Sequence, residues 1–154
     1  VLVRAASGFE RITEGRYTRL VTREDGVDVI AADGSRLDAA ALSRGTAEQL
    51  YLCLRLALAA EFGRLAVPLP LVMDDVLVNF DPERARLAAE VLLDATHDHQ
   101  MLLFTCHPGT VDLLFGLAPN LKVIEINRNT PTLRSVDEVA VIDPVRRRTS
   151  NTKR

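Results

Sequence analysis

The spacing of apolar positions changes several times along the chain, and each change predicts a different element. Helical spacing in the first dozen residues predicts the end of a helix that closes near Gly15. The positions that carry this spacing are Leu2, Ala6, Phe9 and Ile12. Because the pattern starts at the very first residues, we expect the helix to continue upstream in a longer protein.

Alternating apolar and polar residues follow this helix. They predict strands over residues 17–23 and 27–32, joined at Asp25 and Gly26 as a hairpin. A strongly apolar stretch then predicts a buried helix over residues 46–62 that ends near Gly63.

The second half of the chain alternates short apolar runs with helical patterns. The runs LPLVMDD, QMLLFTCH and LKVIEI predict three buried strands, and residues 83–97 and 109–117 predict helices between them, the first with Asp81 as N-cap and Pro82 at its start. Strands that alternate with helices indicate a mostly parallel sheet covered by helices, so the fold class is α/β.

Polar residues that could carry chemistry fall where these parallel strands end. Asp74 and Asp75 end one strand, His107 ends another, and Asp81 lies in the loop after the first. Ligands of such sheets bind at the carboxyl ends of the strands. Neighbouring strand residues point to opposite sides, so one aspartate could hold a divalent cation while the other faces a water molecule.

The polar stretch before the apolar helix contains a serine, an arginine and a glycine, Ser43, Arg44 and Gly45. A helix N-terminus presents unpaired N–H groups and partial positive charge, so this end is a candidate anion site. A turn and cap with no ligand is the simpler alternative.

Histidines and cysteines suggest no further site. His97 and His99 lie at a predicted helix end without a second cluster, and a solvated loop is expected there. Cys106 and His107 are expected to face opposite ways, which excludes a thiol dyad. Cys53 is expected to fill space in the core.

Length and charge narrow the class of protein. The 154 residues suit one domain, and the net charge of −2 argues against DNA binding by this chain alone. No apolar run approaches the roughly 20 residues of a membrane span, and the expected compartment is the cytoplasm. The basic ending VRRRTSNTKR predicts a disordered tail.

Four motifs in order carry a family resemblance. LSRGTAEQ resembles the signature motif of ABC-type ATPases, PLVMDD their Walker B strand, VNFD their D-loop, and FTCH their switch-histidine strand. Their order and spacing are similar to those in the C-terminal lobe of SMC-like and SbcC-like ATPases. The residues in and around the motifs are similar to those of the bacterial YhaN type. The resemblance covers roughly residues 1–127.

The resemblance implies roles for named residues. Ser43, Arg44 and Gly45 would bind nucleotide, with Ser43 and Gly45 at the γ-phosphate of an ATP held by the opposite head. Asp81 would also bind nucleotide, in the loop that couples the two sites.

The catalytic positions follow from the Walker B and switch motifs. Asp74 would bind Mg²⁺ through its water shell, Asp75 would orient the attacking water as general base, and His107 would hydrogen-bond the γ-phosphate. The implied cofactors are ATP and Mg²⁺. Asp75 stands where the family usually has glutamate, so a non-hydrolysing, ATP-dependent dimerisation module is the alternative function.

No Gly-x-x-x-x-Gly-Lys-Ser/Thr loop occurs in the chain. The expected organisation is therefore a coiled-coil end at 1–14, a C-terminal ATPase lobe at 15–142 and a tail at 143–154, active as an ATPase only with the N-terminal Walker A lobe of the same protein. A transporter nucleotide-binding domain is a weaker alternative, because it would carry the loop upstream on the same lobe.

The implied partners extend beyond that lobe. They are a second head in a homodimer, DNA engaged by the full assembly in repair or chromosome maintenance, and a nuclease subunit. Association with the nucleoid is a further implication.

Overall fold

A three-stranded antiparallel sheet and a parallel pair of strands organise the structure, a computed structural model that describes residues 1–126. In chain order the elements are α1 (Leu2–Ile12), β1 (Tyr17–Arg23), β2 (Gly26–Ala31), β3 (Arg36–Asp38), a 3₁₀ turn (Ala39–Ala41), α2 (Arg44–Leu65), β4 (Leu71–Asp74), α3 (Pro82–Ala95), β5 (Met101–Phe104) and α4 (Pro108–Leu117). Within residues 1–126, none of these helices has the length and apolarity that crossing a membrane requires. The predicted tail lies outside the described residues.

The predicted helix and hairpin at the start of the chain are confirmed. After α1 the chain reverses through Gly15, whose φ of +78° is a conformation that glycine adopts without strain. β1 and β2 pair antiparallel, with Val21 opposite Asp28. The third strand, β3, was not predicted, because its three residues are too few to show an alternation.

The main core lies between this sheet and the helices α1, α2 and α3. Its largest fully buried apolar side chains, each at most 1% exposed, are Phe9, Ile12, Val29, Leu50 and Leu92. The rings of Phe9 and Tyr17 stack with centroids 5.3 Å apart, which attaches α1 to β1. Full burial of such a side chain contributes about 1.5–3 kcal/mol, so α1 is strongly fixed to the lobe.

Helix α2 runs past the predicted end at Gly63 to Leu65. Gly63 serves close packing and does not terminate the helix, since a Cβ there would lie 2.9 Å from His99 Cε1. Helix α3 begins at Pro82 with Asp81 as its N-cap, as predicted, and Asp81 accepts a hydrogen bond from Arg84 N.

The parallel sheet is smaller and more exposed than the sequence predicts. β4 and β5 pair in parallel, with Val72 opposite Leu102 and Asp74 opposite Phe104. Residues 121–126, the predicted third strand, are described without strand structure, and they form no ladder with either neighbour. A short apolar segment becomes a strand only where an edge accepts its backbone hydrogen bonds.

Both parallel strands alternate between a partly buried face and an exposed face. Val72, Leu102 and Phe104 are 66%, 45% and 44% exposed, so the prediction of fully buried strands is wrong for one face. We call this surface, made by Val72, Leu102 and Phe104, the open sheet face. Helix α2 contributes Leu52 and Leu56 to the core that the other face contacts. The sheet therefore has helical cover on one side only among residues 1–126.

Candidate functional site

Asp75 stands at the end of β4 in an unusual backbone conformation. Its φ is +46°, a left-handed value that Asp and Asn tolerate better than most residues. Its N–H donates a 2.9 Å hydrogen bond to Phe104 O, so the turn is fixed to the neighbouring strand. The left-handed turn takes the chain out of the strand directly after Asp74. Conformations of this kind are concentrated at functional sites.

The Asp75 carboxylate is surrounded by the three residues that follow β5. The Thr105 hydroxyl donates to Oδ1 at 2.7 Å, and the Cys106 N–H donates to the same oxygen at 3.4 Å. On the other side, Oδ2 accepts from Cys106 Sγ at 3.6 Å and lies 3.9 Å from His107 Nε2.

These contacts hold the Asp75 carboxylate in its charged form. The hydrogen bond from Thr105 is the largest cause that lowers the pKa of Asp75, and contacts with Cys106 and His107 lower it further. The group is therefore ionised at neutral pH, which is the state that a base or a cation ligand needs. The charge acts in return on the neighbouring thiol, because the hydrogen bond to Asp75 raises the pKa of Cys106.

The predicted opposite orientation of Cys106 and His107 is wrong. Strand alternation does not apply to them, because β5 ends at Phe104 and both residues lie in the turn before α4. Their donor atoms lie within 4.8 Å of each other and of an Asp75 oxygen. The raised pKa of Cys106 still argues against a thiol nucleophile, because the thiolate is the reactive form.

Asp74 is not among the groups that contact the Asp75 carboxylate. It ends β4 on the open sheet face and is exposed. Within residues 1–126 its carboxylate makes no hydrogen bond or ion pair, so both oxygens are free to receive a ligand. An exposed, unengaged carboxylate fits the oxygen-donor preference of Mg²⁺, which keeps most of its water shell.

Ser43, Arg44 and Gly45 form the start of α2. Ser43 is the N-cap, and its Oγ accepts from Thr46 N at 3.3 Å. Nothing lies within 4 Å of the position of a Cβ on Gly45, so an approaching group meets open backbone. The Arg44 side chain is 89% exposed and pairs with Glu48 at 3.0 Å. The 22-residue helix thus presents an accessible N-terminus of the kind that binds anions.

A polar contact joins the start of α2 to the loop before α3. Asn79 Nδ2 donates to Glu48 Oε2 at 3.2 Å, and Glu48 also binds Arg44. Asn79 lies two residues before Asp81, whose side chain caps the N-terminus of α3. No role was predicted for Glu48 or Asn79, because their contact joins residues that lie 31 positions apart in the chain.

His99 is buried, contrary to the predicted solvated loop, whereas His97 is exposed. The side chain of His99 is 3% exposed. Its Nδ1 lies 3.1 Å from Leu69 O, and its Nε2 has no partner within residues 1–126. The nearest helical glycine, Gly63, leaves room for the ring. His99 is therefore a packing residue between α2 and the start of β5.

The structure brings Asp75 and His107 together and adds Thr105 and Cys106, which sequence reasoning did not assign to the site. The only signal for these two residues was their position beside His107 at a strand end. Ser43, Arg44 and Gly45 share a second location at the start of α2.

Comparisons with known proteins give a sequence relative and a fold. No model of a known protein family matches the chain. Over 115 residues it is 37% identical to YhaN of Bacillus subtilis (strain 168), a protein described as uncharacterized. This match covers 73% of the chain and spans 12% of the length of YhaN.

Two solved structures share the fold. The Smc head domain with a coiled coil and joint derived from Pyrococcus yayanosii matches with a TM-score of 0.55 and 13% identity, over 71% of this chain and 22% of that one. A structure from work on ATP-driven dimerization and DNA-stimulated activation of SMC ATPases matches with a TM-score of 0.59 and 14% identity, over 82% of this chain and 77% of that one.

These findings agree with the resemblance that the four motifs carry. The chain has the mixed α/β fold of an SMC head domain, and it is similar in sequence to a short part of YhaN. The predicted likeness to SMC head domains and to YhaN is therefore confirmed.

Proposed function

We propose that this chain is the C-terminal half of an ATPase head that dimerises on ATP and hydrolyses it. The observation that carries the proposal is the cluster at the carboxyl ends of the parallel strands, where Asp75 faces His107 and is held by Thr105. Parallel α/β sheets bind their ligands at this edge. The low pKa of Asp75 supplies an ionised carboxylate there.

Each residue of the cluster has a distinct task in this proposal. Asp75 orients the attacking water, and His107, at the N-terminus of α4, hydrogen-bonds the γ-phosphate. Asp74, exposed at the end of β4, would hold Mg²⁺ by accepting hydrogen bonds from its water shell. In phosphoryl transfer, positioning and charge stabilisation of this kind supply most of the catalysis.

The start of α2 is proposed to bind the nucleotide of the opposite head. Ser43 and the open backbone at Gly45 contact the γ-phosphate, and the helix N-terminus supplies favourable charge. Arg44 is almost fully exposed, so it can leave its surface ion pair with Glu48 and turn toward the phosphates. Asp81 couples the sites through its loop, which the contact between Asn79 and Glu48 attaches to α2.

The open sheet face is proposed to bind the N-terminal Walker A lobe of the same protein. A row of half-exposed apolar side chains on a parallel sheet is unusual, because such sheets are normally covered on both faces. The chain also lacks the Gly-x-x-x-x-Gly-Lys-Ser/Thr loop and spans only 12% of the length of YhaN. An ATPase site therefore requires further protein, and the sheet offers the surface for it.

The wider biological setting is also a proposal. One structural relative comes from work on DNA-stimulated activation of SMC ATPases. We place the assembled head in the bacterial cytoplasm, where it engages DNA during repair or chromosome maintenance, with a nuclease subunit as a further partner. The residues 1–14 would then continue into a coiled-coil arm, as the rigid attachment of α1 to the lobe allows.

A second candidate function is supported by the environment of Asp75. Its side chain is shorter than the usual glutamate, and both oxygens already contact neighbouring groups. A carboxylate engaged in this way orients a water molecule less freely. The alternative is therefore a module in which ATP joins two heads without turnover.

The nucleotide-binding part is tested by Ser43→Arg in the complete head. We expect ATP-dependent dimerisation, measured by analytical ultracentrifugation, to be lost, because the large cation fills the space of the phosphate. Ser35→Arg, in the exposed turn before β3, is the matched control and should dimerise normally. Ser43 also caps α2, which stabilises the helix by about 1 kcal/mol, so its replacement could act through stability. Gly45→Asp is therefore a second variant, which repels the phosphate by its negative charge. Dimerisation of both site variants at normal affinity would reject the assignment.

A further inference from the structure

Three different metal-binding groups meet where β4 and β5 end. An Asp75 oxygen, Cys106 Sγ and a ring nitrogen of His107 all lie within 4.8 Å of one another. Cys106 and His107 are exposed, and Asp75 is partly exposed, so an ion can reach all three groups from solvent. A thiol, an imidazole and a carboxylate together are the ligand types of zinc sites, whereas Mg²⁺ prefers oxygen alone.

The distances between these groups suit a tetrahedral ion. Zinc bonds of about 2.0–2.3 Å at tetrahedral angles separate the ligand atoms by roughly 3.3–3.8 Å. Asp75 Oδ2 lies 3.6 Å from Cys106 Sγ and 3.9 Å from His107 Nε2. Only small side-chain movements are therefore needed to close all three groups around one ion.

The second oxygen of Asp75 is already held by the protein. Thr105 and the Cys106 N–H both donate to Oδ1, which leaves Oδ2 directed toward the thiol and the imidazole. Hydrogen bonds of this kind orient metal ligands and are typical of zinc sites. The left-handed turn at Asp75 fixes the carboxylate from the other side. The ligand set is thus arranged before any ion arrives.

We propose that Asp75, Cys106 and His107 form a binding site for a thiophilic divalent cation, with Zn²⁺ the ion that fits best. Zn²⁺ binds the sulfur in place of the thiol proton, which leaves to solvent, and it also binds the neutral imidazole and Asp75 Oδ2. A water molecule completes the tetrahedron. This site is separate from Asp74, which lies on the open sheet face.

One consequence rests on the proposed ATPase function. An ion bound to Asp75 and His107 withdraws both groups from water and the γ-phosphate, so Zn²⁺ inhibits turnover while Mg²⁺ supports it. Metal binding itself does not depend on this function. The site can therefore be tested on the 154-residue chain without nucleotide.

The experiment is a titration of the reduced 154-residue chain with Co²⁺, followed by displacement with Zn²⁺. We expect the intense visible bands of tetrahedral Co²⁺ and a thiolate charge-transfer band, both removed by one equivalent of Zn²⁺ and unaffected by excess Mg²⁺. Cys106→Ser should abolish the charge-transfer band and weaken zinc binding by more than about 100-fold. That exceeds the loss of about 10–100-fold usual when a residue that hydrogen-bonds a metal ligand is changed. Thr105→Val should weaken it within that smaller range.

Cys53→Ser is the matched control, since Cys53 is buried within α2 and should leave the spectrum unchanged. A thiolate band that survives Cys106→Ser, or the lack of any such band in the unaltered chain, would overturn the proposal. Either result would leave the ATPase proposal intact. Loss of ATP turnover in the assembled head, with normal Co²⁺ spectra, would reject the ATPase proposal alone.

Discussion

The core around α1 and the antiparallel sheet differs sharply from the parallel pair β4 and β5. In the first region the core side chains Phe9 and Ile12 are at most 1% exposed. In the second region Phe104 and Val72 are 44% and 66% exposed, although the strands are equally apolar in sequence. The chain therefore buries the large core side chains of the first region by itself, whereas one apolar face of the second region stays exposed to solvent.

The difference indicates where function is located. Among residues 1–126, the group of metal-ligating side chains formed by Asp75, Cys106 and His107 lies at the end of the open pair. A sheet that holds its ligands at its carboxyl edge and leaves one face uncovered is suited to share a site with further protein. The closed core is then the support that holds this edge in place.

The same substitution in the two regions should give the largest contrast. Phe9→Ala is expected to lower the free energy of unfolding by about 3–5 kcal/mol, because it leaves a cavity in a closed core. Phe104→Ala should cost only about 1 kcal/mol, since the ring already contacts solvent. Urea denaturation of the two variants measures both values. Equal losses would mean that the sheet face is not open in solution.

The junction between the regions is sensitive to a single methyl group. Gly63→Ala is expected to destabilise the chain by about 1–2 kcal/mol despite the better helix propensity of alanine, because the new Cβ meets the buried ring of His99. Gly116→Ala, in α4 with nothing within 4 Å, is the matched control and should be neutral or stabilising by up to about 1 kcal/mol. Thermal unfolding followed by circular dichroism distinguishes them. A stabilising Gly63→Ala would show that His99 is free to move.

The smallest expected effect is on the Cys106 thiol. Removing the charge of Asp75 with Asp75→Asn lowers the pKa of Cys106 toward its ordinary value, so the thiolate fraction at pH 7 rises and alkylation by iodoacetamide becomes faster. The alkylation rate at pH 7, compared with that of the unaltered chain, measures this effect.

Two internal references accompany this rate. Burial raises the pKa of Cys53 to about 12, so that thiol should remain unmodified in the native chain. Asp74→Asn, which removes a more weakly acting neighbouring charge, should change the Cys106 rate less than Asp75→Asn does. Identical rates for all three chains would show that Asp75 does not contact Cys106 in solution.

Sequence pattern predicted the elements that depend on local periodicity. The hairpin, the N-cap at Asp81 and the parallel pairing of β4 with β5 follow from alternation, capping residues and strand–helix order. The predicted third strand at residues 121–126 did not form among the described residues. The apolar pattern of this segment indicates that it can form a strand, but a strand also needs the edge of a neighbouring strand for its backbone hydrogen bonds.

For the candidate site, the sequence allowed single residues to be predicted but not the full set of contacts between them. Asp75 and His107 could be placed at strand ends, and the structure brings them together. The contribution of Cys106 was missed because strand alternation was extended beyond the point where β5 stops. The burial of His99 depends on its packing against Gly63, which is distant in the chain. Hydrophobic periodicity carries no information about such a contact.

If this chain supplies half of an ATPase head, it should hydrolyse ATP only when the other half is present. Turnover should be measured for the chain alone and after mixing with the N-terminal Walker A lobe of its parent protein, with and without duplex DNA. We predict no turnover by the chain alone and turnover on mixing, reduced about 100-fold by Asp75→Asn, within the range usual for loss of a general base. Turnover by the chain alone, at the same rate as the mixture, would show that the chain is not half of a divided ATPase head.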